Sequence, residues 1–393
     1  MSGFRGVKFM GGTFWGVTFM GVRFSGVRRV ALDTGTVTEG AEMKRRTLAT
    51  ATALAGIVAL VAGCGSSGTK GTSGGGSSVV GVDYPRSDSD FWNSYIKYVP
   101  QYGTQYKLDL KTSNSENDIA KLTANVQALT GQGVKGVVMA PQDTAAIAPT
   151  LDQLKAKKIP VVTVDTRPDK GDVFMVVRAD NRAYGEKACL FLGEQLKGKG
   201  KVVMFEGDLA SVNGRDRTEA FNQCMQSKYP NIKVFGEATE WKGDVAANKL
   251  QTVLAANPDI NGIYMQAGGV FLAPTIQLLK QKNLLVPPTD PKHVFIVSND
   301  GIPQELKAIQ AGQIDATVSQ PADLYAKYAL FYVKAAIDGK TFQPGKTDHG
   351  STIVQVRPGL LEDQLPAPLV TKDGSFSGST KADDPQLWGN QIK

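Results

Sequence analysis

Two segments of the chain end on an acid where packing has no use for one. Residues 159–167, IPVVTVDTR, place Ile, Pro or Val at five of their first six positions and then deliver Asp165. Residues 293–301, HVFIVSNDG, repeat the arrangement and deliver Asp300. A carboxylate accepts hydroxyl hydrogen bonds or acts as a general acid or base. Two of them across one cleft would suit either a glycosidase-like enzyme or a site that grips a polar ligand without converting it. A plainer reading of both acids is that they cap the turns or helices that follow. Other chemistries lack their residues. The two histidines, His293 and His349, sit in no motif, no P-loop or H-E-x-x-H occurs, and the three cysteines have no zinc spacing. No metal and no cofactor is implied.

The elements that must carry these acids follow from the pattern. Runs so dense in β-branched residues read as strands buried on both faces of a parallel sheet. In open α/β sheets, ligands sit outside the carboxyl ends of such strands. Strands are expected near residues 79–82, 106–110, 134–140 and 159–164, separated by helices near 90–95, 117–131 and 144–157. After a strand at 173–177 the alternation restarts and runs to a strand at 316–319 and a long helix at 323–337. Strand–helix alternation with short connections is the mark of a doubly wound sheet. The expected fold is therefore α/β, with two such parallel-sheet lobes facing one cleft.

A length of 393 residues fits about two domains. The net charge of +7 is uneven: eight Lys/Arg against three Asp/Glu in residues 1–63 carry +5, which leaves +2 (36 against 34) for the rest. A folded part so near neutrality gives no electrostatic case for nucleic-acid binding. Residues 43–63 have the layout of an export signal, with Lys44, Arg45 and Arg46 before an apolar run and small residues at its end. The apolar run is short for a membrane-spanning helix, and the Arg45-Arg46 pair leaves Sec or twin-arginine export open. Residues 1–42 repeat every five positions, with Phe4, Phe9, Phe14, Phe19 and Phe24 in step, upstream of a signal that should begin a protein. They are expected to be untranslated or removed. Residues 64–78, rich in Gly and Ser, read as a flexible tether.

Two resemblances sharpen this reading. Leu60-Val61-Ala62-Gly63-Cys64 resembles the lipobox of bacterial lipoproteins, which implies that Cys64 is lipidated and anchors the chain to the cell membrane from outside. From residue 79 to 340 the chain resembles the periplasmic sugar-binding family, the ribose-binding branch of the type I substrate-binding fold. The resemblance is carried by Phe91-Trp92, residues 132–137 (QGVKGV), 159–162 (IPVV), 214–221 (GRDRTEAF), Asn299-Asp300-Gly301 and 312–320 (GQIDATVSQ). It implies two lobes joined by a three-crossover hinge, with crossings near residues 178–181, near 320–321 and after about 345. That assigns 79–179 and 321–345 to the N-terminal lobe, and 180–320 and 346–393 to the C-terminal lobe and tail. It also implies a ligand-binding set of Ser89, Phe91, Trp92, Asp165, Arg217, Trp241, Asp300 and Gln320.

The chain departs from the family's pattern in two places. The arginine that usually follows Asp165 is Thr166, with Arg167 one place on; the usual asparagine after the strand at 262–265 is Ala267, with Gln266 beside it as a substitute. Both put the usual pentose specificity in question. Trp241, in the polar run Glu240-Trp241-Lys242, reads as an exposed wall. Cys189 and Cys224, in helices that flank one strand, are expected to form a disulfide, with two buried free thiols as the alternative. The resulting expectation is an extracytoplasmic, monomeric lipoprotein, not an enzyme, that captures a sugar or sugar-like molecule for an ABC permease and its ATPase. A ligand-sensing receptor subunit for a signalling partner is the alternative output. A pure ligand role for Arg217 and Asp300 predicts that their loss weakens binding and leaves the melting temperature of the free protein nearly unchanged.

Overall fold

The computed structural model describes residues 78–392. The expected export signal, Cys64, the five-residue repeat and all of the expected tether but Ser78, which opens the first strand, lie outside the described residues. The first lobe opens with β1 (Ser78–Tyr84), α1 (Asp90–Gln105), β2 (Leu108–Asn114), α2 (Ile119–Gly131), β3 (Gly136–Met139), α3 (Ala148–Ala156), β4 (Val161–Val164) and β5 (Met175–Ala179). The second contains α4 (Asn181–Gln195), β6 (Lys199–Glu206), α5 (Val212–Lys228), β7 (Asn231–Ala238) and α6 (Gly243–Ala256). It continues with β8 (Gly262–Met265), α7 (Gly268–Gln281), β9 (Phe295–Asp300), α8 (Pro303–Gln310) and β10 (Ala316–Ser319). The chain then returns to the first lobe for α9 (Ala322–Ile337), β11 (Gly345–Lys346), β12 (Thr352–Arg357) and β13 (Leu360–Leu365). It ends in the second with β14 (Leu369–Thr371) and β15 (Ser379–Lys381), followed by the short α10 (Trp388–Gln391).

The sheet orders are β11-β12-β13-β5-β4-β3-β1-β2 and β15-β14-β10-β9-β8-β6-β7. Strands β1 to β5 and β6 to β10 pair in parallel, as the βαβ alternation requires. β3, β4 and β8 are buried at every residue because helices cover both faces. The chain crosses between lobes at Asp180, at Gln320-Pro321 and between Leu365 and Leu369.

The third crossing corrects the expected boundary. Residues 346–365 do not belong to the C-terminal lobe: β12 and β13 form a hairpin, and β13 pairs in parallel with β5 of the first sheet. The segment LLEDQL carries two acids, Glu362 and Asp363. Both are buried, Glu362 against Arg167 and Asp363 against Tyr332 and His349.

Cys189 in α4 and Cys224 in α5 are joined as a disulfide in the second lobe. The helices lie so close that a Cβ at Gly185 would fall on the backbone of Arg217 and Phe221. Among the described residues, no helix is long and apolar enough to cross a membrane.

Candidate ligand-binding cleft

The carboxyl ends of both sheets face one cleft between the lobes. It holds about 400 Å³ of atom-free space counting its mouth. From the first lobe, Arg86 follows β1, Ser89 caps α1, Phe91 and Trp92 lie in its first turn, Gln142 follows β3 and Asp165 follows β4. From the second come Asn213 and Arg217, one turn apart on α5, then Trp241 before α6, Ala267 and Val270 at the start of α7, and Asp300 at the end of β9. Gln320 lies at a crossing.

The polar groups are held by neighbours but not used up. Asp165 Oδ2 accepts from Asn213 Nδ2 at 2.8 Å, while its Oδ1 is buried with no protein partner. Asp300 Oδ2 accepts from the Gly269 N–H at 2.8 Å. Arg217, 2% exposed, donates through Nε to Asn181 Oδ1 and through Nη2 to Gln320 Oε1, both at 2.7 Å, and through Nη1 to the Gln266 carbonyl. Those three bonds leave two of its five N–H groups uncommitted. None of Asp165, Asp300 and Arg217 makes an ion pair among the described residues. The cleft thus presents two buried acids and a buried guanidinium, each with spare hydrogen-bonding capacity.

That arrangement moves both acids. Burial raises Asp165 above the ordinary carboxylate range, against the opposing pull of Arg217, Arg178 and the Asn213 bond. Burial also pushes Asp300 up to about 7; Arg217 and the Gly269 N–H oppose it, and Asp165 adds to it. A ligand hydroxyl that donates to either carboxylate would recover part of this desolvation cost.

The aromatic side is built by strained backbone. Glu240 and Trp241 both adopt left-handed φ, 52° and 55°, which turns the indole into the lobe. Gly207 makes room for it, because a Cβ there would fall inside the ring. Trp241 stacks on Phe271 and lies 5.8 Å from the Arg217 guanidinium carbon.

The lobes touch on both flanks of the cleft. Arg86 Nη1 reaches the Trp241 carbonyl at 3.3 Å and Gln304 reaches Asp90 at 3.0 Å. On the other flank Arg215 grips Asp169 at 2.6 Å, and Arg178 bonds Asn213 at 2.7 Å and Asp216 at 3.1 Å. This is the closed arrangement of a two-lobed clamp.

Residues 80–341 match the periplasmic binding protein domain. The chain belongs to that family. It is 27% identical, over 67% of its length and 72% of the other's, to the xylitol-binding protein of Mycolicibacterium smegmatis. It is 28% identical, over 61% of its length and 80% of the other's, to the ribose import binding protein of Haemophilus influenzae. Among solved structures it is similar to an ABC transporter solute-binding protein from Mycobacterium smegmatis with bound glycerol. The TM-score is 0.63 at 26% identity, covering 68% of this chain and 91% of that one. The arabinose-transporter binding protein of Shewanella sp. ANA-3, at 22% identity and TM-score 0.64, covers 75% of this chain and 92% of its own and shares the fold.

Within this binding-protein fold, the cleft lining contains Ser89, Phe91, Trp92, Asp165, Arg217, Trp241, Asp300 and Gln320. Two expected residues are not in it. Arg167 pairs with Glu362 at 2.9 Å and with Asp216 at 3.7 Å, because the buried hairpin acid draws it to the sheet edge. The Gln266 side chain is spent on the Gly207 N–H and the Thr218 hydroxyl, so it does not replace the amide absent at Ala267. Trp241 is buried, not exposed as its polar neighbours suggested; the left-handed turn and Gly207 tuck the ring inside.

Arg86, Gln142, Asn213 and Val270 join the lining without having been singled out. Arg86 and Gln142 follow β1 and β3 at the same sheet edge as Asp165, so the rule that marks Asp165 marks them too. Asn213 lies four residues before Arg217, on the same helix face.

Proposed function

We propose that the chain is an extracytoplasmic solute-binding protein that captures a neutral polyhydroxylated molecule, a sugar or sugar alcohol, between its lobes without converting it. The observation that carries this reading is the set of buried, incompletely bonded groups in the cleft: Asp165 Oδ1, Asp300 and the spare donors of Arg217, beside the Trp241 wall. Hydroxyls donate to the acids and accept from the guanidinium, while the C–H face of the ligand packs on the indole. Ala267 and Val270 supply no hydrogen bonds from their side chains, so one side of the ligand carries fewer hydroxyls or none. Relatives named for binding xylitol and ribose support the ligand class.

Delivery to an ABC permease driven by an ATPase is the output that the ribose-import relatives favour. The protein acts as a monomer, tethered outside the membrane by lipidated Cys64. Thermal-shift screening against pentoses, hexoses and alditols tests the reading. A ligand at a hundred times its Kd adds about 2.7 kcal/mol to the folded state, so the correct class raises the melting temperature by several degrees. A panel in which no polyol moves it refutes the assignment.

A further inference from the structure

The family match stops at residue 341, yet the chain continues through α10, and its last turn packs behind a residue that lines the cleft. After β15, Ala382 and Leu387 are buried in the second lobe's core. Asn390 Nδ2 ties the turn down by donating to the carbonyls of Ala382 at 2.9 Å and Asp384 at 2.8 Å. The next residue after Leu387 changes lobes. Trp388 packs in the apolar cluster of the first lobe, edge-on to Phe91 with ring centroids 6.0 Å apart. Phe91 in turn meets Trp92 and Tyr325 edge-on, and Phe91 and Trp92 both line the cleft. Gly389 sits against the Gly301 carbonyl, Ile302 and Leu306, so tightly that a Cβ would fall on that carbonyl. The tail therefore backs both the aromatic pair of one lobe and the loop that follows Asp300 in the other.

The buried indole N–H of Trp388 has no hydrogen-bond partner. Shape and apolar contact, not polar recognition, are what the ring supplies there.

We propose that the C-terminal segment is an interlobe latch, in which Trp388, seated against Phe91, is the positioning residue that favours the closed arrangement. Anchored in the second lobe, Trp388 can stay seated on Phe91 only while the lobes are together. Opening must withdraw one from the other or peel the tail from its own lobe. A latch of this kind acts on the closed population and not on any ligand atom. Ligand affinity is scaled by the fraction of molecules competent to close, so loosening the latch weakens every ligand by the same factor. This inference rests on the solute-binding reading only for its ligand arm.

The test compares the wild type with Trp388→Ala, Gly389→Ala and Trp388→Phe in the full chain. Small-angle scattering of the ligand-free proteins reads the balance of open and closed forms. The radius of gyration is expected to rise in Trp388→Ala and in Gly389→Ala, which keeps the ring but lifts the strap. It should stay at the wild-type value in Trp388→Phe, which keeps an aromatic edge. Calorimetric titration with D-ribose, xylitol and D-allose supplies the second arm. Each probe that binds should bind roughly threefold to thirtyfold more weakly to the two Ala variants, by one common factor, with near-wild-type affinity in Trp388→Phe. Unchanged scattering in both Ala variants overturns the latch. So does a loss that differs from probe to probe, which would mark a ligand contact, or one that Phe does not rescue. If no polyol binds the wild type at all, the sugar-binding reading fails while the scattering arm still decides the latch.

Discussion

Replacing Arg217 with Met tests how far a ligand-binding residue also holds the fold together. The change keeps most of the side-chain length and removes the guanidinium. Three buried acceptors on three separate segments, Asn181 Oδ1, the Gln266 carbonyl and Gln320 Oε1, then lose their donor. A buried polar group stranded in this way costs about 1–3 kcal/mol. Because the three share one donor, their costs do not add in full, and about 3–5 kcal/mol is a reasonable total. At roughly 2–4 °C per kcal/mol for a protein of this size, the free protein should melt about 6–20 °C lower. The lost ligand contacts, at about 1.5–3 kcal/mol each, weaken binding at least tenfold to a hundredfold. Melting curves of the free protein beside calorimetric titration read both effects. The sequence-based expectation of an unchanged melting temperature is replaced, because the guanidinium fastens α4 and the ends of β8 and β10 to one another. A free-protein melting temperature within 2 °C of wild type would refute the structural half of this argument, and intact affinity would refute the other half.

Gly207→Ala should weaken ligand binding by tenfold or more without touching a polar group, because its Cβ displaces the Trp241 ring; titration calorimetry and tryptophan emission read it. The Cys189–Cys224 bridge closes a 35-residue separation, worth about 3–4 kcal/mol in the chain-entropy account. Reduction should therefore lower the melting temperature, and mass spectrometry of unreduced, alkylated protein should find neither of these thiols labelled. Asp300 and Glu305 are both held high, to about 7 and about 8, chiefly by burial. A folded-state acid raised above its unfolded value binds protons more tightly when folded, so this stability is fully present below the unfolded value near 4 and is lost as pH rises from there through the folded value. Asp300→Asn should flatten the decline between about pH 4 and pH 7 in melting curves of the free protein and still weaken binding.

What was legible in the sequence was whatever followed from burial on both faces of a strand. Runs such as IPVVTV and HVFIVS announce parallel strands, and with them the sheet edge that carries Asp165 and Asp300. What was not legible was burial created by a specific partner. Glu362 and Asp363 look solvated by composition, and only the pairing of β13 with β5 places them beside Arg167, Arg178, Tyr332 and His349. That pairing also puts the third crossing some twenty residues later than expected and engages Arg167, which the sequence left free to serve the ligand. Trp241 failed for the converse reason. Its polar neighbours Glu240 and Lys242 pair with each other in solvent, while two successive left-handed residues send the ring between them inward. Side-chain periodicity reports which face of a regular element is buried; it says nothing about a ring carried by a turn. Two of the four residues it missed at the site, Arg86 and Gln142, lie in such connections too. The strand that precedes each was readable, and the carboxyl-edge rule, applied to every strand and not only to those ending in an acid, reaches both.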